Sequence, residues 1–199
     1  MRGTSRKITQ ALLTLFGLLV AFPFVVLAKW DRRVDEHDVL FVLGGQALAL
    51  VPGILGNAAR AAYYERTLAL FEKGAVIHFG SYFSKRGACV FAGAGIGAYC
   101  IIGLADIGPC VRIASRVSIT SGLHYHGSAA GVKGGDCVER VTIGAHSWIG
   151  EGAVIGADIG THCIVGMGSV VVQPIPDGAV VLGNPARRVP SPARSSVSN

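Results

Sequence analysis

The sequence predicts a mainly β protein: a parallel β-helix of six-residue units preceded by a helical, membrane-associated segment. Three observations carry this. Branched aliphatics recur every six residues from Val90 onward, glycine supplies 28 of 199 residues, and an apolar run fills residues 11–28 between basic flanks. Glycine at about twice its usual share but without a triplet period excludes collagen. A hydrophobic fraction of 51% with only 15% charged residues excludes a disordered chain. At this length one domain plus an appendage is expected.

The repeat is read from its aliphatics. Val90, Ile96 and Ile102 are spaced by six. After a one-residue slip Ile107, Ile113 and Ile119 continue. Ile143, Ile149 and Ile155 resume past a break, and Ile159, Val165 and Val171 follow a four-residue step. Most are followed by glycine, and the fifth position of a unit is small or β-branched, as at Cys100, Val111, Val117, Ser147, Ala153, Cys163 and Ser169. Neither the helical nor the strand period gives this pattern. Each unit is a short strand plus a turn, and three close one triangular coil. The coils stack through parallel strand hydrogen bonds about 4.8 Å apart, with the aliphatic inside. Cys100 and Cys163 are then packing residues. Five cysteines with no CxxC pair disfavour a disulfide framework and fit a reducing compartment.

In the first seventy residues, Arg2, Arg6 and Lys7 precede the apolar run, and Lys29, Asp31, Arg32 and Arg33 stop it. The run spans about 27 Å as a helix, near the bilayer's hydrocarbon thickness. An anchor is the favoured reading and a cleaved signal peptide the rival. A second apolar stretch, residues 39–56, is interrupted by Gly44, Gly45, Gln46, Pro52 and Gly53, which favours a re-entrant or interfacial segment. Asn57 stands as an N-cap and Gly74 as a stop for a helix carrying Arg60, Tyr63, Tyr64 and Arg66. That helix suits either lipid headgroup level or packing on the main domain. The domains expected are 1–74 as anchor and amphipathic helix, 75–189 as β-helix with a catalytic loop at 120–140, and 190–199 as a flexible tail.

The stretch from Val141 to Val189 contains WIG (Trp148 to Gly150), GSVV (Gly168 to Val171) and GNPA (Gly183 to Ala186). In this order they resemble the hexapeptide-repeat acetyltransferases, in particular the colanic-acid and virginiamycin types that acetylate sugars or antibiotics. The resemblance covers roughly residues 76–190. It implies a left-handed coil, a homotrimer, and a catalytic histidine on a loop that interrupts the repeat.

That loop would be the stretch between Ile119 and Val141, which holds His124 and His126. Either imidazole, with an ordinary pKa near 6.5, suits removal of a proton from an attacking hydroxyl at neutral pH, and both remain candidates. Asp136 and Glu139 are candidate acids to orient it. Binding of a metal by His124, His126 and Cys137 lacks a fourth ligand, so no metal is expected. The resemblance implies acetyl-CoA as co-substrate, with Gly150, Gly168 and Ser169 along its arm, Pro185, Arg187 and Arg188 near its nucleotide, and Trp148 on the acceptor side. Met167 replaces a small residue expected between the glycines. His146 and His162 fall on coil corners and are expected to face solvent.

A net charge of +6 and a pI near 9.3 favour anionic partners, but no arginine cluster interleaved with aromatics points to nucleic acid. The expectation is a membrane-associated O-acetyltransferase on the cytoplasmic face. Its acceptor would be a saccharide, carried on lipid during surface polysaccharide assembly. An antibiotic-inactivating O-acetyltransferase and a noncatalytic or metal-binding β-helix protein are the alternatives.

Overall fold

The structure is a computed structural model and describes residues 2–34, 38–121 and 138–189. Three helices, α1 (Arg2–Val34), α2 (Val39–Ala49) and α3 (Gly53–Thr67), precede a run of two- and three-residue strands. The strands form three parallel sheets, joined by one antiparallel strand at the C-terminal end. Their registers define three inward columns. On the first face Phe71, Val90, Ile107 and Ile143 stack, continued by single bridges at Ile159 and Ile175. The second face stacks Ile77, Ile96, Ile113, Ile149, Val165 and Val181. The third stacks Phe83, Ile102, Ile119, Ile155 and Val171. All but Ile175 are buried. The six-residue aliphatic therefore builds the prism as the sequence predicts, with roughly 1.5–3 kcal/mol favouring burial of each such side chain.

The irregularities in the repeat all fall on one edge of the prism. The other two edges turn through a residue with positive φ. One carries Cys110, His146 and His162 with Gly74, Gly93 and Gly178, and the other carries Tyr99 and Arg116 with Gly80, Gly152 and Gly168. Those turns fix the count at six. Among the described residues the edge from third face back to first has no such turn, and its length varies. The one-residue slip before Ile107, the four-residue step before Ile159 and the long excursion after Ser121 all sit there.

Interior serines and cysteines link successive coils. Ser81 Oγ donates to Gly97 O at 2.6 Å and accepts from Cys100 N at 2.8 Å. Ser147 Oγ donates to Gly160 O at 2.7 Å and accepts from Cys163 N at 2.9 Å. The Cys100 and Cys163 thiols donate to Ala114 O and Pro176 O, each at 3.1 Å. Both thiols are buried packing groups, as their place in the unit predicts.

The N-terminal helices close the first coil. α3 lays Tyr64 over Phe83 and Phe71, at ring centroid distances of 5.0 and 6.1 Å, and Tyr63 donates to Phe41 O at 2.7 Å. Arg60 is fully buried. Its guanidinium donates to Ile77 O (3.0 Å), Leu48 O (2.9 Å), Val51 O (2.8 Å) and Asn57 Oδ1 (2.8 Å). It thus gathers carbonyls at and just beyond the C-terminal end of α2, sharing that of Leu48 with Val51 N–H, where the helix dipole favours a cation. The headgroup-level reading of this helix is corrected: Arg60, Tyr63 and Tyr64 are all buried in the end of the coil. Asn57 lies inside α3, which starts at Gly53, and Gly74 turns a coil edge instead of ending a helix. The first strand is Leu70–Phe71, so the coil begins inside the segment assigned to the anchor.

The glycines expected to break residues 39–56 instead let α2 pack. An ideal Cβ on Gly44 would stand 2.7 Å from Tyr63 Oη, and one on Gly45 2.7 Å from Tyr64 Oη. Glycine costs about 1 kcal/mol of helix propensity here but lets two buried tyrosines approach the backbone. Gly44→Ala is expected to lower unfolding free energy by about 1–3 kcal/mol in urea titrations, through overpacking of rings that have no room to move.

Burial raises the Tyr63 and Tyr64 hydroxyl pKa values above the ordinary tyrosine range. The fold then holds protons that the unfolded chain releases, so this contribution is intact below pH about 10 and declines above it. Urea midpoints measured across alkaline pH should fall beyond that point, and Tyr64→Phe should make the decline shallower.

Candidate functional site

The sequence-predicted site residues occupy three places on the prism. The first is the variable edge. The chain leaves it at Ser121 and returns at Glu139, whose N–H donates to Ser121 O at 2.9 Å, so the root of the excursion is closed. Ser121 Oγ accepts from Leu104 N at 3.0 Å, tying the departure to the preceding coil. On the return, Arg140 pairs with Asp106 and donates to Gly87 O at 3.0 Å. Glu139 is exposed beside this root. His124, His126 and Asp136 lie outside the described residues, as does Cys137. Among the described residues no three His, Cys, Asp or Glu side chains come together as a metal site.

The second place is the edge between second and third faces. Gly150 is buried, and an ideal Cβ there would stand 2.6 Å from Met167 N of the next coil. That contact alone explains a glycine. Gly168 turns the same edge with φ +66° and has open space in front of it, next to Met167, which is 73% exposed. Ser169 faces inward: it is fully buried, and its Oγ accepts from Gly183 N at 3.2 Å. As its fifth position in the unit implies, its side chain serves the coil and offers nothing to a ligand outside.

The third place is the outer surface of the second face. Trp148 is 41% exposed there, in register between Arg112 and Ile164. Arg187 and Arg188 are exposed on the antiparallel strand Arg187–Val189, opposite Leu182 and Val181, and Pro185 is exposed just before it. Two residues that the sequence reading did not assign share this face. Arg112 crosses Gly95 and donates to Gly93 O, and together with His78 it lines a shallow depression with Val76 and Gly97. The signal for Arg112 was present: a charged residue just before an inward aliphatic must point out.

The second face lies opposite the variable edge. One chain therefore does not bring the root of the histidine-bearing excursion beside Arg187 and Arg188. His146 and His162 are exposed corner residues, as expected, but they are also paired, with stacked rings 4.9 Å apart at 13°.

No family model matches the chain. A Saccharomyces cerevisiae protein provisionally named an acetyltransferase is 37% identical over 79 residues, which is 39% of this chain and 40% of that protein. The galactoside O-acetyltransferase of Lactococcus lactis is 30% identical over 111 residues, 52% of this chain and 54% of that one. The chain spans between a quarter and about half the length of the curated relatives it matches. Among solved structures, a maltose O-acetyltransferase from Clostridium difficile 630 superimposes with a TM-score of 0.59 over 83% of this chain and 86% of that one, at 20% identity. An N-acyltransferase from Bacillus cereus, AntD, solved with a dTDP-amino sugar and coenzyme A, gives 0.51 at 16% identity, covering 64% of this chain and 86% of its own. These likenesses and the coil agree on the hexapeptide-repeat β-helix.

Ser169→Ala removes the acceptor for the part-buried Gly183 N–H and is expected to cost up to about 1 kcal/mol of stability. Denaturant unfolding checks it.

Proposed function

We propose that this hexapeptide-repeat β-helix protein is an acetyl-CoA-dependent O-acetyltransferase. It acts on a saccharide hydroxyl at the cytoplasmic face of a membrane, during assembly of surface polysaccharide. The observation that supports the reading is the root of the excursion at 122–137: the coil releases the chain from a single edge and closes the root by hydrogen bonds, and the sequence of that stretch holds two histidines. One sequence relative named for O-acetylation of a sugar, the galactoside O-acetyltransferase, supports the acceptor class. The coenzyme A and sugar nucleotide in the AntD complex support the same pairing of substrates. The apolar segment of α1 supports membrane association.

The chemistry needs few groups. An imidazole of His124 or His126 takes the proton of the acceptor hydroxyl as its oxygen attacks the thioester carbonyl. A backbone N–H at a coil turn stabilises the oxyanion. Collapse forms the ester and breaks the carbon–sulfur bond, and the imidazolium returns the proton to the leaving thiolate. Gly168 leaves space along one edge for the pantetheine arm, and Arg187 and Arg188 offer charge to its phosphates. Because the root of the excursion and the arginine strand lie on opposite sides of the prism, the complete site would form between neighbouring copies, in keeping with a homotrimer.

Thiol release from acetyl-CoA by the purified full chain, with maltose and galactosides as first acceptors, tests this. His124→Ala or His126→Ala is expected to lower kcat by roughly 10²–10⁴-fold while melting temperature holds, and the wild-type rate should fall as pH drops below about 6.5. Undiminished turnover in both variants would exclude the mechanism.

A further inference from the structure

We infer that α1 lies in the plane of a membrane surface, sunk into one leaflet, and does not cross the bilayer; this rests on the membrane association proposed above. Residues Ile8–Asp31 are long and apolar enough to cross, but their packing argues for a different placement. Gly17, Ala21, Val25 and Ala28 are turned inward along one stripe of the helix, with an ideal Cβ on Gly17 only 2.5 Å from Ala58 O of α3. The opposite stripe carries Leu12, Leu15, Leu19, Phe22 and Val26, all 50–68% exposed. A surface helix of a water-soluble domain shows polar residues on that side. An apolar stripe this long marks contact with something non-aqueous.

Both ends of the segment are fastened to the same end of the coil. Near its start, Gln10 and Leu13 share a cleft with Glu65 and Arg66 of α3 and with Val76 of the first coil. Near its finish, Arg86 donates to Ala28 O at 3.0 Å and pairs with Asp31 at 3.0 Å and with Asp38. α1 is thus a beam laid across the base of the prism. Standing it upright would carry Glu65, Arg66 and coil backbone into hydrocarbon, where charged groups are strongly disfavoured. Lying flat, it buries only the apolar stripe, in the manner of an interfacial helix whose polar face is supplied here by the protein.

The occupant is lipid with anionic headgroups. Arg2, Arg6 and Lys7 precede the stripe, and Lys29, Arg32 and Arg33 follow it. Trp30, 61% exposed, sits at one end, where interfacial aromatics collect. In the sequence, cations thus bracket the apolar stripe on both sides, the charge that anionic headgroups attract.

The full chain should float with vesicles of equal phosphatidylcholine and phosphatidylglycerol, and L19E/F22E should weaken that binding at least about tenfold with its melting curve retained. Depth then separates the geometries. Single tryptophans at positions 12, 19 and 26 (L12W, L19W, V26W, each with W30F and W148F) should be quenched to similar extents by brominated phosphatidylcholine, most strongly by bromines near the headgroups. A depth profile with its maximum at position 19 would mean a spanning helix and would overturn the in-plane inference while leaving membrane association intact. A chain that fails to float would overturn both, as would an oligomer split by L19E/F22E in the absence of lipid, which would make the stripe a contact between copies.

Discussion

The structure depends on one constraint: every coil must present its aliphatics to the same three columns. A side chain displaced from its column opens a gap in a close-packed interior and exposes its own surface to water. Two edges of the prism meet the constraint by turning through positive φ at a fixed residue, so each face-to-face step across them is six residues long. The third edge shows no such turn among the described residues and absorbs every insertion and deletion. A long loop can therefore leave there without shifting the register above or below it, and its root is held by Ser121, Glu139 and the Arg140–Asp106 pair. The same property that makes the coil rigid decides where variation, and with it chemistry, is permitted.

A β-helix has open ends, and here the N-terminal helices close one of them. Tyr63 and Tyr64 fill the space over the first coil, and Arg60 reaches from α3 to carbonyls of both the coil and the end of α2. Arg86 does the matching work at the variable edge. It gathers the end of α1 and the start of α2, where Asp31 also accepts from Leu40 N and Phe41 N. Charged and polar groups in this cap are paired with backbone as much as with each other. The pairing meets the cost of burial and gives the helices one fixed position on the coil.

This cap gives the acetyltransfer reading its geometry. The coil offers edges and turns, the chain between Ser121 and Glu139 carries the histidines proposed as the base, and the base of the prism carries a beam with one apolar side. The divided placement of the loop root and the arginine strand fits a site completed by a second copy, since neither edge of one prism holds both.

The period of the aliphatics was enough to determine the coil, its inward columns and the buried role of Cys100 and Cys163, because a six-residue repeat has a single way to stack. It also placed His146 and His162 on a corner, since position within the unit fixes direction. The N-terminal segment was less legible. Gly44 and Gly45 read as breaks, and Arg60 and the tyrosines suited lipid headgroups as well as packing on the main domain, because local pattern does not say what approaches a helix from outside. The fifth position turned the Ser169 side chain inward, but its partner across the coil, Gly183, was visible only in the structure. The sequence determined on its own what repeats, since stacking is a contact between equivalent positions. Only the tertiary structure decided how the first coil is capped, which edge is free to vary and which side of α1 is left bare, since those depend on contacts between segments that share no pattern.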